Sequence, residues 1–217
     1  PFASLNPRMR VERIVAEGLK VHGLVPDKRQ RRQAVGEVLE RCGLDAGAAG
    51  RFPHQFSGGQ RQRIGIARAL TMRPRLLVCD EPLSALDVSI QAQILNLLRD
   101  LQQDYGLGYL FISHDLRVVR FLAQRVLVMY AGRIVESAPA EALFERPAHP
   151  YTRGLLAAIP GARRDPQARI PAMPVRAEEG ECPFYARCPE AEAACARWTL
   201  ASRELRPGHT VACRRAA

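Results

Sequence analysis

Two short apolar runs constrain what this chain can fold into. "LLVCDEP" at 76–82 and "GYLFISHD" at 108–115 each end in charged or polar groups, and a helix-length stretch separates them. Each reads as a buried strand with its polar groups at the carboxyl end. Between them Ile90, Ile94, Leu97 and Leu101 recur at helical spacing, with Asp87 placed to cap the helix and Tyr105-Gly106 to end it. Downstream, "LRVVRFLAQ" reads as a helix and "RVLVMYAGRIVESA" as two strands around Ala131-Gly132. Strand, helix, strand, helix and hairpin predict an α/β layered core. In such sheets chemistry gathers beyond the carboxyl ends of the strands, where Asp80, Glu81 and His114 fall.

The flanking segments differ in texture. Residues 1–55 are polar and helix-prone; Val35, Val38, Leu39 and Cys42 share one helical face, and Gly43 is a stop signal. "FSGGQRQRIGIARAL" (56–70) follows. Ser57 is a natural N-cap, Gly58 and Gly59 let a ligand approach the backbone, and the amides and dipole of the helix favour an anion there. From about 138, "PAEALFERPAHPYTRGLLAAIP" gives two short helical stretches separated by prolines. Residues 160–181 are rich in Pro, Arg and Glu and read as a linker, and four cysteines, Cys182, Cys188, Cys195 and Cys213, lie in the tail.

No apolar run approaches the ~18 residues needed to cross a bilayer, so any membrane association is expected to be peripheral. The net charge of +10 is carried almost entirely by arginine, since Lys20 and Lys28 are the only lysines. That excess would suit nucleic acid or an anionic surface, or simply reflect an arginine-rich composition.

A strand ending in Asp-Glu fits the magnesium-and-base arrangement of phosphoryl transfer. Asp80 would hold Mg²⁺ through water and Glu81 would polarise the attacking water, with burial at the strand end keeping both carboxylates fixed. His114, at the end of the neighbouring strand, could reach the same site. The four tail cysteines suit Zn²⁺ or an iron–sulfur centre, although they lack the short C-x2-C knuckles of structural zinc; four free structural thiols are the third reading. Cys42 and Cys79 stand apart from them.

"FSGGQRQ", then "LLVCDEPLSALD", then "FISHD" together resemble the ATP-binding cassette (ABC) family over residues 1 to about 137. The resemblance implies a partial P-loop NTPase core (73–137) with a helical subdomain (1–72). Ser57, Gly58, Gly59 and Gln60 would be the signature loop, with Phe56 where leucine is more usual. Asp80 and Glu81 would be the Walker B pair, "SALD" ending at Asp87 the D-loop, and His114 the switch histidine. No G-x-x-x-x-G-K-[ST] occurs in the chain. The resemblance therefore starts midway through the family's domain, and the chain is expected to be the later part of a longer protein. The glutamine of the Q-loop would then lie just before Pro1, and these residues alone would lack ATPase activity. On this reading the signature loop completes, in trans, a site whose lysine belongs to a partner.

"LFERPAHPYTRGLLAAIP" and "SLNPRM" resemble the ATPases of peptide-type importers, with 138–217 as their small irregular C-terminal extension. The resemblance implies ATP and Mg²⁺ as cofactors and a second ATPase subunit packed head to tail. It also implies integral-membrane permease subunits, a substrate-binding protein acting indirectly, and a peripheral place on the cytoplasmic face of the membrane. Members with a similar tail carry a [4Fe–4S] cluster, which would fall on Cys182, Cys188, Cys195 and Cys213. The alternative is a non-transport ABC ATPase acting on nucleic acid, which the charge permits; the peptide-type tail argues against it, and no nucleic acid is expected as a partner.

Overall fold

The computed structural model describes residues 4–159, 182–197 and 201–216. The expected linker at 160–181 lies outside the described residues. The chain forms two units, Pro1–His114 and Asp115–Ala217.

The first unit opens with helices α1 (Val11–Val15), α2 (Glu17–Val21), α3 (Lys28–Arg41) and α4 (Gly58–Leu70). α3 starts where the Asp27 side chain accepts from Gln30 N–H at 2.8 Å, and it stops at Gly43, whose φ of 72° suits glycine. Val11, Ile14, Val15, Val35, Leu39 and Ile64 are fully buried and form the core of this helical layer. α4 is fastened to it by side-chain bonds onto backbone carbonyls: Arg63 Nη1 to Cys42 O at 2.8 Å, and Thr71 Oγ1 to Val15 O at 3.1 Å.

β1 (Leu76–Asp80), α5 (Val88–Tyr105) and β2 (Gly108–Ile112) follow. The strands pair in parallel, from Leu76 opposite Gly108 to Asp80 opposite Ile112. The Tyr109 hydroxyl donates to Leu98 O at 2.8 Å and ties β2 to α5. Gly106 ends α5 at φ 61°, as expected. The buried stripe of α5 is Ile94, Leu95, Leu98 and Leu101, rotated from the expected one because Ile90 and Leu97 are only half-buried. Neither strand is covered on both faces. Cys79 is buried, whereas Leu76, Val78, Leu110 and Ile112 alternate onto an exposed face, with Val78 58% accessible. An apolar parallel pair is ordinarily enclosed on both sides.

The second unit is an antiparallel sheet of order β3-β4-β6-β5 with short helices. α6 (Leu116–Leu122) leads to β3 (Arg125–Tyr130) and β4 (Arg133–Pro139), joined through Ala131 and Gly132, both left-handed, as a tight hairpin requires. α7 (Ala140–Glu145) and α8 (Pro150–Ala157) follow, and the tail returns as β5 (Arg203–Arg206) and β6 (His209–Val211). β6 pairs with β4 at Glu136 and Ser137, two strands beyond the hairpin that the sequence suggested. β4 also runs across the expected division at 137/138.

A buried carboxylate bolts this unit together. Glu136 Oε1 accepts from Ala148 N–H at 2.7 Å and from His209 Nε2 at 2.8 Å, and Oε2 accepts from His149 N–H at 2.9 Å. Glu136 and His209 are each 1% exposed. His149 caps α8, its Nδ1 accepting from Tyr151 N–H at 3.0 Å, and Pro150 occupies the first helical position. The histidine, proline and tyrosine of "HPY" thus have distinct tasks: the Tyr151 ring packs against Tyr130 and Phe184 in the aromatic centre of the core.

Candidate functional site

Ser57 caps α4 as expected. Its Oγ accepts from Gln60 N–H at 3.3 Å, and Gln60 Oε1 accepts from Ser57 N–H at 3.0 Å, a reciprocal capping box. The Gln60 side chain is therefore used within the turn. First-turn amides have no intrahelical partner, and those of Gly58 and Gly59 are the ones the box does not use. Gly59 is also a packing requirement: a Cβ there would lie 2.5 Å from Ile90 Cγ2 on α5.

Asp80 is the last residue of β1, and Glu81 follows with φ 42°. A non-glycine residue in that region costs about 1 kcal/mol or more. Two bonds hold it there: Glu81 N–H donates to Ile112 O at 3.0 Å, and Ser84 Oγ donates to Glu81 O at 3.1 Å. The turn aims the Glu81 carboxylate at His114, whose Nδ1 lies 3.1 Å from Oε1. Parallel pairing thus unites the acid ending one strand and the histidine following its neighbour. Contrary to the expected burial, Asp80 is exposed and the Glu81 side chain is 49% accessible; backbone geometry and the histidine fix the carboxylate, not exclusion from water. Asp87 occupies the N-cap position of α5, but its side chain makes no capping bond.

Cys42 and Cys79 are buried apart, their thiols pushed up to about 12 and about 11 by burial. Such thiols are inert. The other four differ in placement. Cys182, Cys188, Cys195 and Cys213, grouped in the tail, line one small cavity together with Arg214 and Arg215. Cys182 N–H donates to Cys195 O, which brings two of these loops together. All four cysteines are free. Burial raises the thiols of Cys182, Cys188 and Cys213, Cys188 to about 11. Its two arginines are each paired with Glu192, at 3.2 Å from Arg214 and 3.5 Å from Arg215. Four sulfurs in one lining fit a soft, thiolate-ligated centre in kind. Among the described residues, however, no group of three or more Cys, His, Asp or Glu side chains stands in coordinating geometry.

Sequence reasoning passed over two sets of residues. Arg51 and Arg61 hold the segment leading into Ser57, and the signal was an aromatic residue with arginines five positions to either side. The pairing of Glu136 with His209 spans 73 residues and left no local signal.

Residues 2–84 match the family model described as ABC transporter. Residues 135–195 match the one described as oligopeptide/dipeptide transporter, C-terminal region. A protein of Brucella ovis named for peptide import and ATP binding is 52% identical over 98% of this chain and 68% of its own length. The oligopeptide transport ATP-binding protein OppF of Bacillus subtilis is 50% identical over 98% of this chain and 66% of its own. The chain thus spans about two thirds of the length of these relatives. Among solved structures, a bacterial ABC transporter cassette crystallised as a dimer superposes with a TM-score of 0.55 and 30% identity, over 63% of this chain and 59% of that one. The cbiO1 protein of Clostridium perfringens, part of a cbiONQ transporter complex, gives 0.59 and 27%, over 67% and 57%.

Proposed function

Because this chain belongs to the ATP-binding subunits of peptide-importing ABC transporters, we propose that it supplies half of a composite ATPase driving peptide uptake through a membrane permease. The observation that carries the reading is the Glu81–His114 pair, 3.1 Å apart at the carboxyl end of parallel β1 and β2. Glu81 orients the attacking water and accepts its proton. His114 steadies that carboxylate by donating Nδ1–H, and with both ring nitrogens protonated it would also donate Nε2–H to the γ-phosphate. Asp80 would hold magnesium through water, and the ion would offset charge on the phosphates. Ser57, Gly58 and Gly59 present a helix N-terminus to ATP held by a second cassette packed head to tail, with Gln60 shaping the turn through its capping box. Asp87, whose side chain makes no capping bond, would face that partner.

The permease pair and a peptide-delivering binding protein complete the assembly, with this subunit peripheral on the cytoplasmic face of the inner membrane. The match of residues 135–195 to a peptide-transporter region supports transport rather than action on nucleic acid. The test is Glu81→Gln in the full-length protein within the assembled transporter. ATP binding should persist while turnover falls roughly 10²–10⁴-fold; undiminished hydrolysis would remove Glu81 from the mechanism.

The cysteine cavity supports a second reading, that Cys182, Cys188, Cys195 and Cys213 hold a [4Fe–4S] cluster. Their convergence on one cavity is the supporting observation. A cluster would cross-link loops that otherwise meet through few bonds, and it would carry one electron. Anaerobic purification from iron-replete cells should give a brown protein with about four irons per chain. A colourless, iron-free protein would exclude the cluster, and stoichiometric zinc would replace it.

A further inference from the structure

The segment entering Ser57 is held by short-range bonds that converge on one residue. Phe52 N–H donates to Gln55 Oε1 at 2.8 Å and closes a 3-10 turn over Pro53–Gln55. Phe56 comes next, buried and extended, at φ −120° and ψ 149°. Arginines grip it from both sides. The Arg51 guanidinium lies 4.2 Å from the centroid of the Phe56 ring and donates through Nη2 to Gln55 O at 2.6 Å. Arg61, in the first turn of α4, donates through Nε to Phe56 O at 3.0 Å. The carbonyl of Arg51 accepts from Val11 N–H at 2.9 Å, which anchors the brace to α1.

This arrangement answers a local difficulty. The carbonyls of Gln55 and Phe56 precede a helix cap, so neither has a helix or sheet ladder to join, and each is instead satisfied by an arginine. A planar guanidinium can stack on a ring and donate in its own plane at once, which an ammonium cannot. Phenylalanine suits the position because it offers a π face; leucine would fill similar space without one.

We propose that Arg51 is a positioning residue for ATP hydrolysis: by stacking on Phe56 and bonding Gln55, it sets the direction in which Ser57, Gly58 and Gly59 meet the nucleotide of the partner cassette. This rests on the reading of residues 57–60 as the part that completes the partner's site. Arg51 acts through Phe56 and Gln55, so on this proposal its loss leaves ATP binding by the full-length subunit unchanged and lowers turnover of the closed assembly.

The test measures ATPase activity of the full-length protein in its assembled transporter, with nucleotide binding and thermal unfolding measured on the same samples. Gly58→Asp places a carboxylate where the triphosphate approaches, at a helix position that tolerates it, and should abolish hydrolysis. Arg51→Ala and Phe56→Leu should each lower kcat about three- to thirty-fold, the range of a partly desolvated cation–π contact. The double variant should be no worse than Arg51→Ala alone, and Phe56→Tyr should restore most of the activity. If Gly58→Asp abolishes hydrolysis while Arg51→Ala and Phe56→Leu are as active as the parent, the positioning role is refuted and the site reading stands. Losses that multiply in the double variant, or that track a fall in melting temperature, also refute it. Full activity of Gly58→Asp overturns the site reading itself.

Discussion

Replacing Glu136 by alanine should unlatch the second unit. The carboxylate serves three donors, Ala148 N–H, His149 N–H and His209 Nε2, at 2.7–2.9 Å, in surroundings where none of these groups reaches water. Alanine orphans all three. A buried unsatisfied donor costs about 1–3 kcal/mol, while the desolvation of the carboxylate itself, several kcal/mol, is relieved. The net loss expected on removing one member of such a buried pair is therefore about 4 kcal/mol, within the roughly 3–5 kcal/mol range for broken buried pairs. A chain of this size loses roughly 2–4 °C of melting temperature per kcal/mol, so a fall of about 8–16 °C is expected. Glu136→Gln keeps one acceptor oxygen and opposes an NH₂ group to one remaining N–H donor, and it should cost about 1–3 kcal/mol. The assay is thermal and urea unfolding of the full-length protein, with amide exchange followed at Ala148 and His149. Those two amides should lose protection first, because the carboxylate is their acceptor. His209→Ala should cost much less in the Glu136→Ala background than in the parent. A Glu136→Ala variant within 1 kcal/mol of the parent, or one more stable than Glu136→Gln, would refute the reasoning.

Burial holds the His149 imidazole down at about 4, opposed by nearby Glu136 and Glu190 and reinforced by Arg153. Between pH 6.5 and 4 the unfolded chain therefore binds a proton that the folded one refuses, so stability is lost as pH falls through that window, by about 3 kcal/mol in total. Unfolding free energy of iron-free protein against pH should show this slope, and His149→Asn, which can still cap α8, should lack it; equal slopes would contradict the assignment. Gly59→Ala should destabilise the first unit by roughly 1–3 kcal/mol through the Ile90 contact. The additional change Ile90→Ala should recover part of that loss in the same unfolding assay, and failure to recover would mean the strain lies elsewhere.

Local rules account for much of what could be read along the chain. Ser57 and Gln60 are three residues apart, Asp27 and Gln30 likewise, and Gly43 and Gly106 sit where a helix must turn left-handed. Interactions within a helical turn need no knowledge of the fold, so the Ser57 cap, the glycine stops and the strand–helix–strand order were legible, whereas Asp27 was passed over and Asp87 makes no capping bond. The candidate site was half legible. Asp80, Glu81 and His114 could be named from strand ends, but the contact between Glu81 and His114 spans 33 residues and exists only because β1 and β2 pair in parallel. The exposed face of Leu76, Val78, Leu110 and Ile112 could not be foreseen, since an apolar run reports what wants covering and not what covers it.

By itself, then, the sequence determined the strand–helix–strand order, the Ser57 cap, the glycine stops and the types of chemistry that these elements carry. Tertiary structure alone decided that Glu136 meets His209 and that the tail returns as β5 and β6. The physical reason is range. Capping and periodicity are fixed by backbone geometry over a few residues, whereas these meetings depend on which surfaces the whole chain can bury against each other.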